Sequence, residues 1–287
     1  MDIETAFIGG SGLDQIEGVE VVETVDIATP FGAPSDPVSI CKVGDGHAAF
    51  LPRHGRGHRL LPTEVPSRAN IWALKSIGIK QIIAISAVGS LREEFRPGDF
   101  VVCDQLIDRT RSRPHLTFFG DGVVGHVGFA DPFCPTMREK TIGVIASHRH
   151  TLHAEGTLVC MEGPPFSTRA ESNLYRSWKA DLIGMTSLPE SKLAREAEIC
   201  FCLIAMVTDY DCWRESEEDV TLEMVVRLMK ENSAAIKSMI PDFVSSLVPS
   251  DDCACRHAAE AAIYTDPSVI PTETKRRLDL LYGKYWR

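Results

Sequence analysis

Short apolar runs, each closed by small or polar residues, recur along most of the chain. Residues 5–8 run into Gly9-Gly10-Ser11-Gly12, 48–51 into Pro52-Arg53-His54-Gly55, and 81–85 into Ser86-Ala87-Val88-Gly89-Ser90. Further runs are 100–103 before Asp104, 157–161 before Glu162-Gly163-Pro164, and 203–207 before Thr208-Asp209-Tyr210-Asp211. Unbroken apolar runs of this length predict strands covered on both faces. Helical spacing fills the gaps. Residues 68–77 follow Pro66 and carry Ile71, Trp72 and Leu74, and 187–198 mixes acidic and basic residues on one face. The longest helix is expected over 221–247, where Leu222, Met224, Val225, Val226, Leu228, Met229, Ile236 and Met239 interleave with charged and amide residues. Pro241 is expected to break or kink it. Alternating strands and helices, with reactive loops at strand ends, indicate an α/β fold. We expect a main unit over 1–248. A polar link at 249–252 then leads to a helical appendage over 249–287, two short helices parted by 267–271.

Composition narrows the function. Hydrophobic residues make up 44% and charged residues 24% of 287, as in an ordinary globular protein rather than a disordered one. A formal net charge of -10 repels a nucleic-acid backbone, so generic nucleic-acid binding is not expected, while a small anion needs only a local group of donors. The start, MDIETAFIGG, lacks a basic n-region, and no long uncharged apolar stretch follows. We therefore expect neither a signal peptide nor a membrane span, and a cytoplasmic location. The nine cysteines show no CxxC…CxxC zinc pattern. Cys200/Cys202 and Cys253/Cys255 are Cys-x-Cys pairs that read either as reduced thiols or as disulfides, above all at 253/255. No metal is expected.

Four clusters carry candidate chemistry. The glycine-rich turn around Ser11 offers backbone amides and a hydroxyl to an anion, or is simply a tight turn. Arg53 and His54 offer a planar guanidinium fork and an imidazole to phosphate oxygens, or form a surface basic loop. Ser86 through Ser90 places small hydroxyl residues after a buried strand, for ligand-facing amides or for close packing. Asp209 and Asp211, at i and i+2, would share one side of extended backbone. Like charges so close raise one pKa, so one carboxyl could donate while the other accepts; a polar cap is the plainer reading.

In this order the clusters resemble the methylthioadenosine phosphorylase branch, of prokaryotic type, of the purine nucleoside phosphorylase family. The resemblance spans roughly 5–245 and is carried by IGGSGLD (8–14), RHGRGH (53–58), RANIWALK (68–75), SLREEFRPGD (90–99), DQLIDRT (104–110), DPFCP (131–135), EGPPFSTRAES (162–172), GMTSLPE (184–190) and MVTDYDCW (206–213). It implies a mixed, partly barrel-like central sheet flanked by helices. It also implies phosphorolysis of 5′-methylthioadenosine to adenine and 5-methylthioribose 1-phosphate, with phosphate as co-substrate and no cofactor. Ser11, Arg53, His54, Ser86, the Ala87 amide and Thr186 would hold phosphate. Phe166 and Met185 would flank purine or sugar. Asp209 would face purine N7 and Asp211 the 6-amino group, with His54 counted among the catalytic groups. Val220, Leu222, Val225 and Val226 would line a methylthio pocket. His126 would reach a neighbouring subunit's substrate, which implies a homotrimer or a hexamer of two trimers. Pro165 stands where the family commonly has Arg. A 6-oxopurine phosphorylase, a hydrolytic nucleosidase and a non-catalytic nucleoside-binding protein remain alternatives.

Overall fold

The protein is described from a computed structural model over residues 3–10, 19–214 and 222–286. Its strands are β1 (Thr5–Gly9), β2 (Val19–Val25), β3 (Val38–Val43), β4 (Gly46–Pro52), β5 (Gln81–Ser90), β6 (Phe100–Val102), β7 (Gln105–Arg109), β8 (Leu152–His153), β9 (Thr157–Met161), β10 (Leu182–Gly184) and β11 (Cys200–Asp209). The helices are α1 (Ser67–Ser76), α2 (Pro135–Ser147), α3 (Arg169–Ser177), α4 (Glu190–Glu196), α5 (Leu222–Ser246) and α6 (Thr272–Trp286).

The eleven strands of the described residues join one mixed sheet whose pairing branches at β5. One path runs β2-β3-β4-β1-β5-β10-β9-β7, and a second leaves β5 through β11 to β6 and β8. The branch is possible because β5 is long. Thr5–Ile8 of β1 pair with residues 81–84, and β10 then pairs antiparallel with Gly89 and Ser90. Along the other edge β11 runs parallel, from Cys200 opposite Gln81 to Asp209 opposite Gly89, with a register shift before Asp209.

The apolar runs alternate their side chains between two cores, as period-2 backbone requires. Ile82, Ala84, Val88, Phe201, Leu203, Ala205 and Val207 pack on one side with Ile71 and Leu74 of α1, Leu193 of α4, and Leu278 and Tyr282 of α6. Ile83, Ile85, Cys202, Ile204 and Met206 pack on the other with Met137 and Ile145 of α2 and Ile236, Met239 and Phe243 of α5. Burying each large side chain contributes roughly 1.5–3 kcal/mol, so β5 and β11 are the least deformable part of the fold.

Three expectations change. The helix around Pro241 does not break: α5 continues to Ser246, the ring costing one backbone hydrogen bond while the apolar face stays buried on the sheet. The segment expected as two short helices holds one helix, α6, preceded by 3-10 turns at Ala254–His257 and Pro267–Val269. Pro271, which cannot continue a preceding helix, stands immediately before the first residue of α6. Ser86–Ser90 do not follow the strand but belong to β5, and Thr208-Asp209 end β11, because both strands continue past their apolar stretch. Tyr282 and Leu278 are fully buried in the first core, so the C-terminal segment shares the core of the main unit.

Candidate active site

β5 gathers the expected residues along its C-terminal half. At Ile85, the carbonyl accepts from Arg53 Nη1 at 3.0 Å. At the next residue, Ser86 Oγ meets Thr186 Oγ1 at 2.8 Å, so two hydroxyls expected to bind phosphate touch each other. Ala87 is half-buried and next in line. At Gly89 the strand lies between Ile183 of β10 and Asp209 of β11. From Ile85 to Gly89 is about 13 Å of strand. Arg53 and Asp209 therefore meet the same strand four residues apart.

Arg53 is buried, and its fork is largely engaged inside the protein. Nε and Nη2 donate to the two carboxylate oxygens of Glu190 at 2.5 and 2.9 Å, and Nη2 also approaches the Ile8 carbonyl at 3.4 Å. Glu190, 1% exposed, opens α4. An isolated guanidinium at such depth would be strongly unfavourable, and a bidentate carboxylate offsets that. The pair locks the turn after β4, leaving one Nη1 hydrogen for an anion.

The neighbouring His54 is also buried. Its Nδ1 lies 2.8 Å from the Leu60 carbonyl and therefore carries the hydrogen, and its ring stacks on His58 with centroids 4.3 Å apart. Burial, with the adjacent Arg53 guanidinium, lowers its pKa to about 4 despite that hydrogen bond. The sequence suggested a near-neutral donor. The structure makes His54 a neutral ring whose Nε2 accepts.

The carboxylate pair closes the other end. Asp209 Oδ2 accepts from Thr208 Oγ1 at 2.7 Å, and Oδ1 from the backbone N–H of Asp211 at 2.8 Å. Burial raises the Asp209 pKa and the Asp211 charge adds to the rise, opposed by those two hydrogen bonds. Asp211 takes a left-handed conformation, φ 50°, which an Asp tolerates better than most residues. This turn, not continued strand, brings the two carboxylates together. Both Asp211 oxygens lie within hydrogen-bond reach of Ser167 Oγ, at 2.9 and 2.7 Å. Ser167 is fixed by the next residue: Thr168 caps α3 in a reciprocal box with Glu171, whose Oε2 accepts from the Thr168 N–H at 2.8 Å.

Met185 and Phe166 are the chain neighbours of Thr186 and Ser167. Gly163 has φ 72° and lies so close to Met185 that a Cβ would sit 2.6 Å from its sulfur. Phe166 is 49% exposed, an aromatic face beside buried Ser167. A residue absent from the sequence reading organises both loops. Arg113, 6% exposed, donates Nη2 hydrogens to the carbonyls of Met161, Glu162 and Met185 at 3.1, 3.0 and 2.6 Å, and Nη1 to the Pro62 carbonyl.

Other expected residues lie apart or outside. His126 is exposed on the segment between β7 and α2, its N–H bonded to the Ala262 carbonyl at 2.8 Å, with no bond of its own to the β5 surface among the described residues. Ser11 and Val220 lie outside the described residues, as do the side chains of Leu222, Val225 and Val226. Among the described residues no helix is long and apolar enough to cross a membrane.

The chain is similar to known proteins over most of its length. The family described as Phosphorylase superfamily matches residues 4–245. An S-methyl-5′-thioadenosine phosphorylase of Geobacter sulfurreducens is 53% identical, covering 97% of both chains. One of Neurospora crassa is 46% identical over 99% of this chain and 96% of its own. Among solved structures, a methylthioadenosine phosphorylase from an Antarctic soil metagenomic library superposes with a TM-score of 0.92 at 43% identity, covering 98% of this chain and 99% of that one. Methylthioadenosine phosphorylase from Schistosoma mansoni in complex with adenine gives 0.83 at 36% identity, covering 90% and 96%.

Proposed function

This chain belongs to the phosphorylase superfamily, and we infer that it catalyses phosphorolysis of 5′-methylthioadenosine to adenine and 5-methylthioribose 1-phosphate. The observation that carries the mechanism is that the Ser86–Thr186 hydroxyl pair and the Asp209/Asp211 pair meet β5 only three residues apart, at Ser86 and Gly89.

Phosphate sits against Ser86, Thr186 and the Ala87 amide. His54 Nε2 accepts a hydrogen bond from a protonated phosphate oxygen, and Arg53 supplies its remaining N–H. Glu190 is a positioning residue: it holds the guanidinium still and screens its charge. We assign Ser11 to the same anion. Phosphate oxygen attacks the sugar C1′ as the C1′–N9 bond breaks, and the electron pair of that bond leaves with the purine. Asp209, whose burial favours its protonated form, gives its proton to N7, so adenine departs neutral. Positive charge on the sugar is met by the bound anion below it. The proton that phosphate gives up as it becomes the sugar phosphate ester returns through solvent to Asp209, so atoms and charge balance with phosphate and nucleoside alone; no organic cofactor or catalytic metal enters the reaction as written.

Asp211 accepts from the 6-amino group. One hydroxyl hydrogen from Ser167 leaves carboxylate lone pairs for that bond, and a 6-oxo group in the same place would be repelled. Met185 and Phe166 flank sugar and base. To Val220, Leu222, Val225 and Val226 we assign contact with the methylthio group, a preference worth about 1–3 kcal/mol over hydroxyl. The exposure of His126 suits a role toward the substrate of a neighbouring subunit, and we take the active form to be a homotrimer or a hexamer of two trimers, located in the cytoplasm.

The test is incubation with methylthioadenosine, with and without phosphate, and identification of both products. Adenine and 5-methylthioribose 1-phosphate formed only with phosphate support the reading. Free methylthioribose without phosphate would make it a hydrolase, and binding without turnover would make it a non-catalytic protein.

A further inference from the structure

Four cysteines scattered through the sequence converge at the far end of β11 from Asp209. Cys134 precedes α2, with its N–H bonded to the Phe201 carbonyl at 2.8 Å. Cys200 opens β11, with its N–H on the Lys80 carbonyl at 3.0 Å. Cys253 and Cys255 come from the 3-10 turn at the start of the C-terminal segment, closed by the Arg256 N–H on the Cys253 carbonyl at 2.8 Å. Cys134, Cys200 and Cys255 are buried and Cys253 is half-buried. All four Sγ atoms lie within 4.8 Å of one another, with Cys253 Sγ at 3.6 Å from that of Cys134 and 3.4 Å from that of Cys200.

We propose that Cys134, Cys200, Cys253 and Cys255 form a tetrathiolate site for one zinc ion that ties the C-terminal segment to the sheet. A tetrahedron with metal–sulfur bonds of about 2.3 Å has sulfur–sulfur edges of about 3.8 Å, and the cluster is already near that size. Cys253 stands almost equally far from two partners, which suits one shared cation better than one chosen disulfide. Four sulfur donors and no oxygen or nitrogen donor select a borderline-soft, tetrahedral ion, and four protein ligands leave no position for substrate. The Cys-x-Cys turn needs only a tight backbone to place both thiols on one side, so the usual spacing between zinc cysteines is absent from the sequence. Binding would leave the site with two net negative charges. Lys75 and Arg195 lie within electrostatic reach of Cys200 and Cys255, so two cations are placed to offset it. About 30 Å of strand separates Cys200 from Asp209, so the ion's role is structural.

The test uses the whole protein, made with zinc in the medium, purified under reducing conditions without metal-affinity resin, and analysed by elemental mass spectrometry. About one zinc per chain is expected, released in step with modification of four thiols by a mercurial reagent. Cys253→Ser and Cys255→Ser should lose the zinc and shorten the half-life of activity at elevated temperature several-fold, with kcat at 25 °C unchanged. Cys103→Ala, outside the cluster, should keep the zinc. Should a variant fail to fold, the zinc count of the unaltered protein still decides. No bound zinc after incubation with excess Zn2+ and desalting, with all nine thiols titrating, would overturn the proposal and leave four neighbouring thiols. No zinc with fewer than nine thiols would overturn it in favour of disulfides.

Discussion

Gly89→Ala tests the carboxylate end of the site by steric pressure alone. The position is half-buried, has no left-handed backbone, and lies between β10 and β11, so alanine is acceptable to the chain itself. Its Cβ would stand 2.9 Å from Asp209 Oδ1, 3.1 Å from Ile183 Cγ2 and 3.4 Å from Asp211 Cβ. Ile183 belongs to the paired strand and gives little, whereas the carboxylate is the free end of a side chain. To reach ordinary contact at 3.4 Å the Asp209 oxygen must move about 0.5 Å, which stretches its 2.8 Å bond from the Asp211 N–H toward the weak limit. Misplacing a proton donor by this amount lowers kcat/KM by about 10- to 100-fold. Stability should change by only about 1 kcal/mol, because added strand propensity partly offsets the crowding. Steady-state kinetics with methylthioadenosine at saturating phosphate, beside a thermal melt, give both numbers. A folded Gly89→Ala enzyme with unaltered kcat/KM would refute the idea that Asp209 works from this position.

Three further outcomes follow from the same geometry. Asp209→Asn keeps the shape but has no carboxyl proton to give, so kcat on adenine nucleosides should fall by about 10²–10⁴-fold and the preference for adenosine over inosine should narrow; a preference ratio equal to that of the parent protein counts against the assignment. His54 has a folded pKa of about 4 against about 6.5 unfolded, so the unfolded chain binds the extra proton between those values. Stability is then complete above pH 6.5 and declines as the pH drops toward 4, by at most about 2 kcal/mol between pH 7 and pH 5. Melting His54→Gln in parallel should show a flatter dependence, and an identical slope would contradict the buried neutral ring. Arg113→Met unhitches the Met161, Glu162 and Met185 carbonyls and should raise the KM for methylthioadenosine about tenfold or more; an unchanged KM would show that these loops hold themselves.

Much of the fold is visible in the chain because β5 and β11 are buried on both faces and must read as unbroken apolar runs. The edge strand β2 is mostly exposed, with Glu20 and Glu23 along it, and offers no such signal. β10 has three residues and exists only because Gly89 and Ser90 of β5 and β9 lie on either side. Asp209 and Asp211 are legible as a pair, yet their meeting depends on a left-handed turn and on Ser167. The spacing of Thr168 and Glu171 is a visible capping signal for the helix that places Ser167. Glu190 and Arg113 were not legible as site residues. One closes the GMTSLPE motif, the other follows DQLIDRT in an irregular segment, and their partners are 137 and up to 72 positions away. The cysteine cluster is hidden for the same reason, since Cys134, Cys200 and the 253/255 pair come from three separate elements.

The central claim is that Asp209 supplies the proton on which the leaving adenine depends. It is tested most directly with Asp209→Ala, comparing methylthioadenosine with its N7-methylated cation, whose base leaves without being protonated and whose methyl group fits the space the side chain vacates. The deficit relative to the unaltered protein should be about 10²-fold or more on the parent nucleoside and nearly vanish on the cation. An equal deficit on both would contradict the account, because the carboxyl group would then be acting on something other than that proton.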